Sequence, residues 1–254
     1  MIFQEQKEAT NKIQNIFNYF NLSNGSLRPH SIITGSSGMG KTYLISQAAK
    51  HYRLPLININ AAQITPEGIS GNSISKEMSP MRNYSGERVV VIVDEFDKVF
   101  VPSTGDSNTG DRSSVQHEFL EMLENESTAV FDTYGKYAKV DISKCLFMFL
   151  GAFNNRTMQK QTDFTDLGMS REFYGRIASA IYVPSLSLQS VLAYANDAPL
   201  LRKYGEVLKL SPTELKQHSD NIIKNIIDNW ETNISGLRIV NKEINNYFLN
   251  LSIR

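Results

Sequence analysis

Gly35-Ser36-Ser37-Gly38-Met39-Gly40-Lys41-Thr42 lies between the apolar run Ser31-Ile32-Ile33-Thr34 and the helical run Tyr43-Leu44-Ile45-Ser46-Gln47-Ala48-Ala49-Lys50. A strand, a glycine-rich turn and a helix in that order decide the fold class, because strands alternating with helices build a parallel α/β sheet. The stretch also satisfies the pattern G-x-x-x-x-G-K-[ST] at every required position. Glycines let successive backbone N–H groups turn toward one anionic centre, and the helix that follows adds the positive end of its dipole. Lys41 then reaches the β- and γ-phosphates of a nucleotide, and the Thr42 hydroxyl takes a place on Mg²⁺. The residues expected around the nucleotide are Ser36, Ser37, Gly38, Met39, Gly40, Lys41, Thr42 and the adjoining Tyr43. A chance match is the competing reading, and the strand and helix on either side weigh against it. The implied ligands are ATP and Mg²⁺.

Val89-Val90-Val91-Ile92-Val93-Asp94-Glu95 is the second anchor. An unbroken β-branched run fits a parallel strand buried on both faces. Two carboxylates suit such a strand only at its carboxyl end, where ligands bind in open α/β sheets. Beside a phosphate loop, Asp94 is expected to hold Mg²⁺ and Glu95 to polarise the attacking water. Solvated acids at an ordinary strand end are the alternative.

Elsewhere, residues 4–20 place Ile13, Ile16, Phe17 and Phe20 at helical spacing, which predicts an amphipathic helix. Residues 54–60 and 145–150 read as further buried strands, and 115–125 as a helix. Residues 65–72 read as an exposed glycine-rich turn, and 103–114 as a flexible loop by composition. From residue 185 the β signal fades into helical segments at 189–196, 200–208, 212–230 and 236–251, with Ser187, Ser211 and Ser235 near the expected starts. The expectation is a three-layer αβα domain with a parallel sheet over residues 1–184, followed by a small all-helical domain over 185–254.

The chain has 254 residues, 41% of them hydrophobic, with 26 Lys+Arg balanced by 26 Asp+Glu. That length supports one large core and a smaller one. Zero net charge offers no global attraction to nucleic acid or to an anionic membrane. The single cysteine, Cys145, excludes an internal disulfide and a Cys-based zinc site, and the four histidines show no ligand spacing. With no signal peptide and no membrane-length apolar run, a cytoplasmic protein is expected.

Taken together, these residues resemble an AAA+ ATPase, and more narrowly the ClpX/HslU branch of unfoldases. Ile2-Phe3-Gln4-Glu5-Gln6-Lys7 looks like the "IGQEQAK" segment of ClpX, which implies that Ile2 and Phe3 lie near adenine. The stretch from Val140 to Phe153 is similar to "VDTSKILFICGGAF", that from Ser170 to Ile177 to "IPEFIGRL", and Ser235-Gly236-Leu237-Arg238 to "ARGLR". The resemblance implies that Arg176 is an arginine finger reaching a neighbour's nucleotide, that Arg238 is the sensor-2 arginine, and that Asn154 stands at sensor 1. By residue type alone, both arginines read as surface ion-pair residues. A site that takes an arginine from a neighbour implies a ring, usually hexameric in this family.

The departures from ClpX bear on function. Gly68-Ile69-Ser70-Gly71 stands where ClpX has its "GYVG" pore loop, and Ile69 offers less contact than a tyrosine. The basic "RKH" loop is reduced to Tyr134-Gly135-Lys136-Tyr137-Ala138-Lys139, expected to be a solvated loop. No "IGF"-type tripeptide, the element that docks ClpP, stands between Asn154 and Arg171, and no zinc-binding domain is expected. The expectation is therefore an ATP-hydrolysing ring motor that remodels a protein partner without a ClpP-type protease. The alternative is a nucleic-acid-associated ATPase of clamp- or helicase-loader type, with Lys136 and Lys139 beside tyrosines as its only basic-aromatic cluster.

Overall fold

The computed structural model describes residues 3–66, 71–100, 113–153, 158, 160–230 and 236–251. Ile2, Gly68, Ile69, Ser70, the stretch 101–112, Asn154 and Ser235 lie outside the described residues.

Contacts divide the chain into two compact units: residues 9–35 with 41–183, and residues 1–8 with 36–40 and 184–254. The larger unit holds a five-stranded parallel sheet in the order β2-β3-β6-β1-β7. Its strands are β1 (Ser31–Thr34), β2 (Leu56–Asn60), β3 (Val89–Asp94), β6 (Cys145–Gly151) and β7 (Ser179–Tyr182). An antiparallel hairpin, β4 (Ser127–Phe131) with β5 (Tyr137–Asp141), stands apart from the sheet. The helices of this unit include α2 (Lys41–His51), α3 (Ile74–Glu77), α4 (Ser113–Glu124), α5 (Gln161–Thr165) and α6 (Arg171–Gly175), with most of α1 (Lys7–Leu22).

The β-branched run of β3 does what its composition demands. Val89, Val91 and Val93 join Phe147 and Phe149 of β6 in one core, packed on Phe96, Phe119 and Phe173. The Phe96 ring stacks on Phe173 at 5.2 Å and tilts against Phe149 at 4.6 Å, which fastens α6 to this face. Successive strand side chains alternate faces, and the intervening Val90, Ile92, Leu146 and Met148 are fully buried too. Both faces are therefore covered by helices, giving three αβα layers. On α1, Ile13, Ile16, Phe17 and Phe20 form the buried stripe.

Burial sets two ionisable groups far from their ordinary state. His30 is pushed down to about 3, chiefly by burial and then by the Arg28 charge. Its Nδ1 accepts the Phe147 N–H at 3.1 Å, as a neutral ring requires. Burial pushes the Cys145 thiol up to about 12, so it stays an uncharged core residue.

In the smaller unit, α7 (Leu188–Asn196), α8 (Pro199–Val207), α9 (Pro212–Asp228) and α10 (Arg238–Leu249) enclose a core of Val191, Leu201, Ile222, Ile226, Val240 and Ile244. Ser187 and Ser211 are N-caps, and Ser211 forms a reciprocal capping box with Glu214. Two features depart from the sequence reading. Residues 137–139, expected in a solvated loop, lie in β5, and β4, β5 and β7 were not anticipated. Each hairpin strand has one fully buried position, Val130 or Val140, and β7 is four residues long, so the alternation is too weak to see.

Candidate functional site

Asp94 ends β3, and its two oxygens have different tasks. Oδ2 accepts from Thr42 Oγ1, on the first turn of α2, at 2.9 Å. Oδ1 accepts from the backbone N–H of Glu95 at 2.9 Å. That second bond holds Glu95 in the left-handed region, at φ 55°, where the chain turns off the sheet. A non-glycine residue held there is uncommon and concentrates at functional sites. Lys41 is 9% exposed, and its Nζ donates to the Gly35 carbonyl at 2.6 Å, at the root of the glycine-rich turn. Within the larger unit the fold thus brings Lys41, Thr42 and Asp94 together and sets Glu95 next to them in the chain. A hydroxyl facing a carboxylate is the donor set that a hard cation takes, and a buried ammonium suits an anion.

Sequence reading passed over Asp97, which is 8% exposed. Its Oδ1 accepts the Ala152 N–H at 3.2 Å, and Lys98 Nζ lies 3.3 Å from its Oδ2. The short helical turn that follows Glu95 is thereby tied to the end of β6. The approach is close: a Cβ on Gly151 would stand 2.8 Å from Asp97 Oδ1 and 2.6 Å from the Phe153 ring. Phe153 also has positive φ, at 46°. A lone Asp two residues past Glu95 carries no sequence signal of this tie, because its partner is a backbone group more than fifty residues away.

The glycine-rich loop itself belongs to the smaller unit. Gly38 and Gly40 have φ of 78° and 87°, which keeps side chains clear of the turn. The Leu237 N–H donates to the Gly38 carbonyl at 3.1 Å, and Arg238 Nη1 donates to Ser37 Oγ at 3.0 Å. Gly236, at φ 54°, permits that approach, since a Cβ there would sit 2.1 Å from Met39 Cε. Gln6, 3% exposed, donates from Nε2 to the Met39 and Pro184 carbonyls, both at 3.0 Å. Glu5 accepts from the Ser187 and Ser190 hydroxyls at 2.6 and 2.8 Å, and these bonds hold its carboxyl down at about 2. Phe3 packs edge-on to Tyr194, and Tyr43 is exposed on α2.

Residues 31–162 match the family described as "ATPase family associated with various cellular activities (AAA)". The chain is an AAA-family ATPase. It is similar to the "ATP-dependent Clp protease ATP-binding subunit ClpX" of Porphyromonas gingivalis, with 31% identity over 137 residues, covering 48% of this chain and 33% of that protein. The protein of the same name from Bacteroides thetaiotaomicron is 24% identical over 259 residues, covering 82% of this chain and 62% of that one. This ATPase thus spans between 33% and 62% of the length of these relatives. Its family is one of ATPases, and within it the chain resembles the ClpX branch.

Arg176 of the ATPase follows α6, whose start is capped by Ser170 accepting the Phe173 N–H at 3.1 Å. Its guanidinium donates from Nε and Nη2 to one oxygen of Glu124, at 2.9 and 2.7 Å, and its side chain is 55% exposed. Among the described residues, no contact joins it to Lys41, Thr42, Asp94 or Glu95. No helix among the described residues is long and apolar enough to cross a membrane.

Proposed function

We propose that this ATPase is a ClpX-type motor that works as a ring of six copies, in the manner of its family, and remodels a protein partner without feeding a ClpP-type protease. Bound between the Thr42 hydroxyl and the Asp94 carboxylate, Mg²⁺ would neutralise charge on the β- and γ-phosphates. Lys41 exchanges its bond to the Gly35 carbonyl for a phosphate oxygen, and the N–H groups of residues 36–40 hold the remaining phosphate oxygens. Glu95 accepts a proton from the attacking water, its position set by the bond to Asp94. Residues 185–254 act as the lid, and Arg238, already on the phosphate loop at Ser37, reports nucleotide state to it.

The observation that carries the ring is Arg176. It is exposed, charged and in no contact with the Lys41, Thr42 and Asp94 group of its own chain, which suits an arginine that serves a neighbour's phosphates. The test is ATPase rate against protein concentration, alone and with unfolded protein or single-stranded DNA. A specific rate that rises with concentration, and again with unfolded protein, is expected. Stimulation by DNA alone would move the assignment to a loader. Mixing Arg176→Ala with Glu95→Gln subunits, each inactive alone, is expected to restore part of the activity, because some interfaces then join an intact arginine to an intact glutamate.

A further inference from the structure

Gln6 stands 33 positions before Met39 of the glycine-rich loop, yet its side chain touches that loop. It ends the short helical turn Gln4–Gln6 and is 3% exposed. A side-chain amide nitrogen carries two protons, and here both are used. Nε2 donates to the Met39 carbonyl and to the Pro184 carbonyl, each at 3.0 Å. One peptide earlier in the loop, the Gly38 carbonyl accepts the Leu237 N–H at 3.1 Å. All of these residues belong to the smaller unit.

Peptide geometry decides what those bonds do. The carbonyl and the N–H of a planar trans peptide point in opposite directions, and no peptide among the described residues is cis. With the Gly38 carbonyl held by Leu237, the Met39 N–H faces away from Leu237. With the Met39 carbonyl held by Gln6, the Gly40 N–H faces away from Gln6. Among the described residues, neither N–H donates to another group of the chain. Gly38 and Gly40 have positive φ and Met39 between them does not, an alternation of hand that gathers successive N–H groups into one anion-binding concavity. Turning the Met39–Gly40 peptide over would strand a buried Gln6 proton, which is costly.

We propose that Gln6 is a positioning residue for nucleotide phosphate: it holds the Met39–Gly40 peptide so that the Gly40 N–H is aimed at a phosphate oxygen before the nucleotide arrives. Donors already in place bind more tightly, because their ordering is not charged to the binding step. The contribution falls on the phosphate chain and is indifferent to the base. The inference rests on the assignment of residues 36–40 to phosphate binding.

The experiment titrates the whole chain with ADP and Mg²⁺ by calorimetry, with GDP as competitor. Gln6→Met keeps the length of the side chain and removes both donors. It should weaken ADP on the order of tenfold or more and leave the preference between ADP and GDP unchanged. KM for ATP should rise by the same factor, with kcat falling less. Glu5→Ala removes the neighbouring bonds to Ser187 and Ser190 and so loosens the same segment without touching the loop. It should lower the melting temperature yet change ADP affinity by less than about twofold. An equal loss of affinity in Glu5→Ala and Gln6→Met would overturn the proposal, as would unaltered affinity in Gln6→Met. A changed preference between ADP and GDP would overturn it too, since Gln6 would then be reading the base. One measurement needs no variant. With selectively labelled glutamine, the two Gln6 side-chain amide protons should be protected from solvent exchange without nucleotide and remain so with ADP. Free exchange of those protons in a chain that binds ADP sinks this proposal alone, whereas no ADP binding by the unaltered chain sinks the phosphate-loop assignment with it.

Discussion

Asp94 and Glu95 are adjacent in the chain, yet their geometry assigns them different work. Asp94 has both oxygens engaged, one with Thr42 and one with the Glu95 N–H, so it is fixed. Among the described residues Glu95 is held by its backbone alone, which leaves its exposed carboxylate available to a water. Glu95→Gln should keep ATP affinity and lower turnover on the order of a hundredfold or more, as loss of a general base does; equilibrium nucleotide binding beside steady-state hydrolysis reads both. Lys41→Ala should abolish nucleotide binding. Asp97 is the residue the motif does not announce. Asp97→Ala should lower kcat about a hundredfold with KM little changed, because the turn carrying Glu95 loses its tie to Ala152. Asp97→Asn keeps an acceptor for that N–H and should recover most of the loss. A merely structural role would show instead as a shared fall in melting temperature with no such recovery.

Among the elements, the helices of the smaller unit were the most legible. Serines before apolar-periodic runs marked α7 and α9, and the side-chain caps form at Ser187 and Ser211. Ser211→Ala should cost about 1 kcal/mol of that unit's stability, read by thermal denaturation. The start of α10 is different in kind. There Gly236 is needed for a long-range reason, the passage of the Leu237 N–H to the Gly38 carbonyl. Gly236→Ala should cost about 1–3 kcal/mol, combining positive φ with a clash on Met39 and Gly38. It should also weaken nucleotide affinity, since the loop it supports is the phosphate loop. The hairpin was legible in neither strand, because Val130 and Val140 are buried by partners distant in sequence rather than by a strong local pattern.

For the whole molecule, His30 and three carboxylates make stability fall on acidification, while the buried Cys145 thiol makes it fall at alkaline pH. His30 is depressed from 6.5 to about 3, and Glu5 from 4.5 to about 2, while Asp141 and Glu214 are lowered by bonds to Ser143 and Ser211. A group with a depressed folded pKa binds its proton in the unfolded chain first, so the stability it contributes is complete above the unfolded value and lost on acidification. The melting temperature should therefore hold steady between pH 7 and about 8.5, fall above about 9 as the unfolded Cys145 thiol ionises, and fall below pH 6.5, first through His30 and then, below about 4.5, through the carboxylates. His30→Asn, which can still accept the Phe147 N–H, should flatten the upper part of that slope. As a string, the chain already carried the strand–loop–helix, the buried β3 with its terminal acids and the capped helical tail, since each is written in consecutive residues or at fixed helical spacing. The pairing of Thr42 with Asp94, the Asp97 tie, the Arg176–Glu124 bond and the Arg238–Ser37 bond each join residues from 52 to 201 positions apart. Only folding brings such groups within hydrogen-bond distance, because no local periodicity encodes which distant backbone or side chain will be there to meet them.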